Sequence, residues 1–260
     1  MTAGTASATM WNAKTVDSNC QCAQSGVRFG RFDLAALKHL AIILDGNRRW
    51  AKGRSLPTLE GHRQGYERVK EIGVAALERG VEHFTVYAFS TENWGRASEE
   101  VDYLMELLEH ALTADIEFFI HHGARLNIVG DRQDLRKSAR DAATLAEERT
   151  AHLERGQFNL CINYGGRAEL LAGVQALLAQ GLAPEELTEE VMSAALWTAS
   201  MPEPELIIRT SGEHRLSGFL TWSGVYSELL FLDCFWPDFT IDDLDACLAE
   251  YARRQRRFGQ

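Results

Sequence analysis

HLAIILDGNRRWAKG, residues 39–53, decides how this chain is read. Five consecutive apolar residues, 40–44, give way at once to Asp45, Gly46, Asn47, two arginines and a tryptophan. An apolar run without polar alternation suits a strand buried on both faces, as in a parallel sheet covered by helices. Open parallel sheets bind their ligands at the carboxyl ends of the strands. The residues just after each strand therefore carry the functional information.

Five more runs of the same kind occur further along: HFTVYAF (83–89), RLNIV (125–129), FNLCIN (158–163), ELIIR (205–209) and ELLFL (228–232). Segments with helical spacing lie between most of them. Residues 65–80 put Val69, Ile72, Ala75 and Leu77 on one side, and residues 99–120 repeat Val101, Leu104, Met105, Leu108, Ala111 and Leu112 three or four apart. Strand–helix alternation predicts a single α/β domain with a mostly parallel six-stranded central sheet flanked by helices. Neither GxxxxGK[ST] nor GxGxxG occurs, so the expectation is a non-Rossmann fold with no P-loop.

Bulk composition narrows the partners. The chain of 260 residues is 45% apolar and 25% charged with a formal charge of -10, which argues against a nucleic-acid partner. The five cysteines (Cys20, Cys22, Cys161, Cys234, Cys247) are scattered and odd in number, the pattern of a reduced, cytoplasmic protein rather than a disulfide framework. No apolar stretch approaches a membrane span. Residues 1–36 are small and polar, have neither a basic start nor an apolar core for a secretory signal, and read as a disordered arm ahead of a catalytic domain at 37–260.

The strand ends share a chemistry. They lead into DGNRRW, STENWGR, GD, YGGR and TSGEHRLS, which bring Arg48, Arg49, Arg96, Arg167, Arg209 and Arg215 towards one rim. Turn and cap residues explain each loop singly. Turns do not require arginine, whereas phosphate oxygens suit the guanidinium fork. The arginines fall into two sets, one after the first two strands and one after the fifth, predicting two phosphorylated ligands. Asp45 among them predicts a bridging Mg²⁺, since that ion is usually held by one or two carboxylates plus substrate phosphates.

HLAIILDGNRRWA, GHRQG, YAFSTENWGR, NYGGR, IIRTSGEHRLSGFLTW, YSELLF and WPDF, in that order, resemble the cis-prenyltransferases typified by undecaprenyl diphosphate synthase. The likeness covers essentially residues 39–259. It implies a homodimeric, Mg²⁺-dependent transferase that adds isopentenyl diphosphate to an allylic diphosphate with Z geometry. By position, Asp45 resembles the catalytic, Mg²⁺-linked aspartate. Gly46, Asn47, Arg48, Arg49 and His62 would hold the allylic diphosphate, with Trp50 beside the lipid entrance. Ser90, Thr91, Glu92, Asn93, Trp94 and Arg96 resemble a loop that closes over substrate, Asn93 lying near the proton removed. Arg209, Arg215, Leu216 and Ser217 would hold isopentenyl diphosphate. Glu228 resembles a second metal contact, and RFG at 257–259 a tail reaching the partner subunit. Ala88, Phe89, Leu104 and Leu108 would line a product tunnel, with peripheral membrane contact for release.

Three departures bear on the product. Thr58 stands where relatives carry an arginine, a loss of one charge-assisted contact worth ~1.5–3 kcal/mol. Thr221 and Ser223 replace a leucine and a glutamine, and WGRA lacks the proline that commonly comes next. Small Ala88 leaves the tunnel open, so the first expectation is a long-chain (undecaprenyl or decaprenyl type) Z-polyprenyl diphosphate. The alternative is a short-chain or irregular, lavandulyl-type enzyme. A non-catalytic partner subunit and a terpene cyclase rank below both.

Overall fold

In the computed structural model, which describes residues 37–254, the opening stretch forms strand β1 (His39–Ile43), buried throughout, then helix α1 (Asn47–Gly53). The 1–36 arm with Cys20 and Cys22, and the tail at 257–259, lie outside the described residues. Next come α2 (Thr58–Glu78), β2 (His83–Ser90), α3 (Ser98–Thr113), α4 (Ile116–His121), β3 (Ala124–Val129), α5 (Lys137–Thr150) and β4 (Gly156–Tyr164). The chain closes with α6 (Gly166–Ala179), α7 (Glu189–Ala194), β5 (Leu206–Arg209), β6 (Glu228–Phe231) and α8 (Ile241–Arg253). All six strands form one parallel sheet in the order β3-β4-β2-β1-β5-β6.

Strand residues alternate between two cores, which is why their sequences are apolar on both faces. Leu40, Ile42, Phe84, Phe158 and Ile208 feed the core under α2, α3, α5 and α8, while Ala41, Ile43, Cys161 and Ile207 pack with Tyr164, Phe219 and Leu220 on the other face. Gly73 lets α2 come close to the sheet: a Cβ there would sit 2.2 Å from Phe158 Cε1. A helix-interior glycine costs ~1 kcal/mol in propensity, and here it buys that approach.

On the second face, towards the amino ends of the strands, runs a polar row that is buried at Asn159, Thr85 and His39 and half-buried at Asn127 and Gln157. Asn127 Nδ2 and Gln157 Nε2 donate to Asn159 Oδ1 (2.8 and 2.7 Å), and Asn159 Nδ2 donates to Thr85 Oγ1 (3.0 Å). Thr85 lies 2.6 Å from His39 Nε2, and His39 Nδ1 lies 2.7 Å from the Pro202 carbonyl. A carbonyl only accepts, so Nδ1 carries the proton and Nε2 receives the Thr85 hydroxyl. The row is fully satisfied and runs one way across four strands.

One expected element divides. Residues 99–120 read as a continuous amphipathic segment, yet the helix stops at Thr113 and restarts at Ile116. Asp115 lies in the break with its carboxylate held by α2: Tyr66 Oη donates to it at 2.7 Å and Lys70 Nζ at 2.8 Å.

Candidate active site

The polypeptide leaves β1 and β5 at adjacent carboxyl ends, with β2 and β6 on their outer sides. That is where an open α/β sheet forms a crevice. Asp45 lies just past β1 and Arg209 ends β5. Arg209 is 5% exposed, and its Nη2 donates to Asp45 Oδ2 at 2.9 Å. Its Nη1 donates to Ser217 Oγ (2.8 Å) and to the Arg215 carbonyl. Ser217 holds a φ of 50°, a left-handed turn that aims its hydroxyl at the guanidinium.

Gly46 joins Asp45 to α1 with φ 107°, and a Cβ there would lie 2.7 Å from Phe235 Cδ1. Glycine meets both demands. It also caps α1 without a side chain, leaving first-turn amides open. Asn47 is wedged under α2: its Oδ1 would lie 2.6 Å from a Cβ on Gly65 and is buried with no hydrogen-bond partner.

Successive residues on a helix point about 100° apart, and this splits the two arginines of α1. Arg49 turns towards the β5 loop, reaching Asp45 Oδ1 (3.3 Å), the Ser211 carbonyl and hydroxyl, and Glu213 (3.5 Å). Arg48 turns the other way, its Nε 3.8 Å from Glu100 Oε2. Neighbours in sequence, the two arginines thus part in the structure: Arg49 sits with the β5 loop and Arg48 with Glu100.

Glu100, in the first turn of α3, is a buried carboxylate behind the site that sequence reasoning missed. Buried to 8% exposure, it accepts Arg96 Nη1 at 2.9 Å and lies 3.0 Å from His62 Nε2. Glu99 and Glu100 together in a helix's first turn read as ordinary dipole complement; the only signal was their place just after the STENWGR loop. A carboxylate can only accept, so His62 donates from Nε2 and offers Nδ1 elsewhere. Burial lowers the His62 pKa despite the pull of Glu100. Burial pushes Glu100 up, but its hydrogen bond to His62 and the charges of Arg96 and Arg48 more than offset this, and its pKa lies below the ordinary range.

The STENWG loop forms a 3₁₀ turn, Thr91–Gly95, locked by Ser90 N–H donating to Asn93 Oδ1 at 3.1 Å. Trp94 Nε1 donates to Asn163 Oδ1 (2.7 Å), and its ring meets Phe89 edge-on. Ala88 occupies a bulge in β2 where the register with β4 shifts. The extra residue re-aims this small side chain.

These groups rim a cavity of about 1260 Å³. Asp45, Gly46, Asn47, Arg48, Arg49, His62, Arg96, Arg209 and Ser217 mark its polar mouth, with Thr58, Arg167 and residues 90–93. Behind them the lining turns apolar, through Ala88, Phe89, Leu104, Met105, Leu108 and Phe119. Ligand pockets typically hold ~300–1,000 Å³, so this one suits something longer than a drug-sized molecule.

Besides Trp94, four expected site residues lie off the cavity lining. Trp50 faces away across α1, its Nε1 donating to Asp238 (2.7 Å) under the Arg54 guanidinium. Arg215 is 60% exposed and paired with Glu213. Leu216 packs against the second core. Glu228 begins β6 beside Leu206, three residues before the level of Arg209, and pairs with Arg254 (2.7 Å). Three strand residues are about 10 Å, so within one chain Glu228 is at the wrong end of the sheet to join Asp45. Thr221 packs on Gly166 at the start of α6, and the buried Ser223 hydroxyl has no partner.

Comparison with known proteins agrees with this geometry. A family model for undecaprenyl diphosphate synthase matches residues 43–259. An isoprenyl transferase of Brucella abortus is 47% identical over 228 residues, 85% of this chain and 89% of that protein. A ditrans,polycis-undecaprenyl-diphosphate synthase specific for (2E,6E)-farnesyl diphosphate, from Micrococcus luteus, is 42% identical over 85% of this chain and 91% of its own. Among solved structures, lavandulyl diphosphate synthase from Lavandula x intermedia, in complex with dimethylallyl diphosphate, superposes with a TM-score of 0.83 at 33% identity, covering 88% of this chain and 100% of that one.

Proposed function

The chain belongs to the undecaprenyl diphosphate synthase family and is a prenyltransferase, and on that premise we propose that it extends an allylic diphosphate with isopentenyl diphosphate, in Z geometry, to a long-chain polyprenyl diphosphate. The observation that carries this reading is the cationic rim opening into a long apolar chamber. A substrate with a diphosphate head and a growing hydrocarbon tail fits that gradient.

Arg48, His62 and Arg96, gathered by Glu100, would receive the allylic diphosphate with Gly46 and Asn47. Arg209 and Ser217, with Arg49 and Arg215, would receive isopentenyl diphosphate. Ionisation of the allylic ester leaves extra charge on the departing pyrophosphate, and preorganised guanidiniums at that position stabilise it. The second substrate's alkene must then be held at near-attack distance, a positioning task for Arg209 and Ser217. Asn93, its carbonyl oxygen occupied by Ser90, would lie near the proton that is lost. Trp94 and Arg96 anchor the 90–96 loop on either side, keeping water from the cation.

The residues fit a magnesium ion. Among the described residues no cluster of three or more His, Cys, Asp or Glu could hold a metal alone. Asp45 is a single carboxylate between two cation sets, the donor type that shares Mg²⁺ with substrate phosphates. Bound there, the ion would supply charge stabilisation to the leaving pyrophosphate.

A homodimer belongs to the same proposal. β6 is an edge strand preceded by Val225 and Tyr226, 66% and 72% exposed, and α6 carries exposed Leu171, Val174 and Leu178. Covering them with a second copy would put Glu228 in an interface, where it could serve as the other subunit's metal contact. Among the described residues no helix is long and apolar enough to cross a membrane. The proposed location is the cytoplasm, with peripheral membrane contact for product release.

A second reading, a short-chain or irregular synthase, draws on the likeness to lavandulyl diphosphate synthase and on Thr58 at the rim. One experiment separates them. The purified protein is given labelled isopentenyl diphosphate, Mg²⁺ and dimethylallyl, geranyl or farnesyl diphosphate in turn, and the products are sized. Chains of many units are expected; products of only two or three units, or branched ones, would sink the long-chain reading.

A further inference from the structure

α3 and the turn that follows it are fixed to α2 at two points, and the stretch between them lines the chamber. The upper pin is Glu100 against His62. The lower pin is Asp115, whose Oδ2 accepts both Tyr66 Oη (2.7 Å) and Lys70 Nζ (2.8 Å). Along α2, His62 and Lys70 are about 12 Å apart; from Glu100 to Asp115 a continuous helix would run about 22 Å. The two pins therefore enclose a longer stretch of α3 than of α2. Leu104, Met105, Leu108 and Ala111, between the pins, face the cavity.

The lower pin is no loose surface pair. The Lys70 side chain is 14% exposed, and its ammonium lies over the rings of Tyr66 and Phe118 (4.7 and 5.5 Å). Burial alone would lower the Lys70 pKa, but hydrogen bonds to Asp115 and Glu67 hold it above the ordinary range. Burial raises Asp115, while Lys70 and Tyr66 draw it below its ordinary value. Both groups therefore stay charged across the physiological range, so the clasp remains closed. It also coincides with the break between α3 and α4, where the roof would otherwise be easiest to lift.

We propose that Asp115 is a specificity-determining residue: by clasping the far end of α3 to Tyr66 and Lys70, it limits how far the chamber's roof yields and so sets product length. This rests on the long-chain reading above. Asp115 stands clear of the polar mouth, so it acts on the last additions rather than the first.

The test compares Asp115→Ala and Lys70→Met with the parent enzyme for product length, for the rate and KM of the first addition, and for thermal unfolding. Both variants are expected to keep first-addition kinetics and to move the main product up by one or more five-carbon units, Asp115→Ala further than Lys70→Met. A merely structural pair would lower the melting temperature and leave chain length alone. Folded variants with the parental product distribution, or with shorter products, overturn the proposal. Should Asp115→Ala fail to fold, Lys70→Met decides by the same outcomes. A parent enzyme that stops after one addition overturns the long-chain reading and this proposal with it; long parental chains unchanged in the variants overturn this proposal alone.

Discussion

Acid should weaken this fold through one histidine far from the site. His39 is fully buried, and burial, partly countered by the Pro202 hydrogen bond and reinforced by His83, lowers its pKa from 6.5 to about 4. Above pH 6.5 the ring is neutral in both folded and unfolded chains, and stability is complete. Between 6.5 and 4 the unfolded chain takes up a proton that the folded chain refuses, so stability falls as pH falls. At ~1.4 kcal/mol per pH unit the loss comes to about 3 kcal/mol, against a total of ~5–15 kcal/mol for a typical domain. Urea unfolding between pH 7 and pH 4 measures the fall, and His39→Gln isolates it. An amide at position 39 can still donate to Pro202 and accept from Thr85, but it does not titrate. The parent should lose about 3 kcal/mol more than the variant across that window. Parallel pH profiles, or a His39 imidazole titrating near its ordinary value by NMR, would show the reasoning to be mistaken.

Other perturbations act at the rim. Asp45→Asn keeps an acceptor for Arg209 but removes the metal-binding charge, so kcat should fall at least ~100-fold with the melting temperature little changed; a Mg²⁺-dependent rate near the parent's would contradict the role. Gly46→Ala must hold φ 107° and meet Phe235 at 2.7 Å, which should cost ~1–2 kcal/mol in backbone strain alone and depress activity by displacing Asp45; calorimetry beside kinetics checks both. Ala88→Leu fills the bulge beside the chamber mouth and should shorten the main product, as chromatography of the labelled chains would reveal.

The strands were legible because the central ones are buried on both faces and so written as nearly solid apolar runs, and even the half-buried edge strand β6 keeps such a run; most boundaries agree within a residue or two. The loops stood out because a turn does not call for arginine, and Arg48, Arg49, Arg96, Arg167 and Arg209 do line one cavity. The direction in which each arginine points was harder. Arg48 and Arg49 are neighbours in sequence and look like one set, although helix geometry alone could have split them. Glu100 was hidden by looking like any acidic residue at a helix start, since its partners at 48, 62 and 96 come from three other segments. The break at Asp115 left no trace in the apolar period, and the phenol and ammonium that hold its carboxylate come from another helix. Glu228 sits in a motif that resembles a metal site, yet its distance from Asp45 depends on which end of a strand it occupies.

The one-way row from Asn127 to His39 has a consequence for how the chain finds its alignment. Parallel strands have no hairpin to fix their pairing, and strands that are greasy on both sides tolerate sliding past one another. Thr85 pairs opposite Asn159, and Asn159 opposite Asn127. A one-residue slip would send a polar side chain to the other core, and a two-residue slip would strand buried donors without acceptors, at ~1–3 kcal/mol each. The row works as a key cut across four strands, admitting a single register and so fixing, at the opposite end of the sheet, which loops stand side by side.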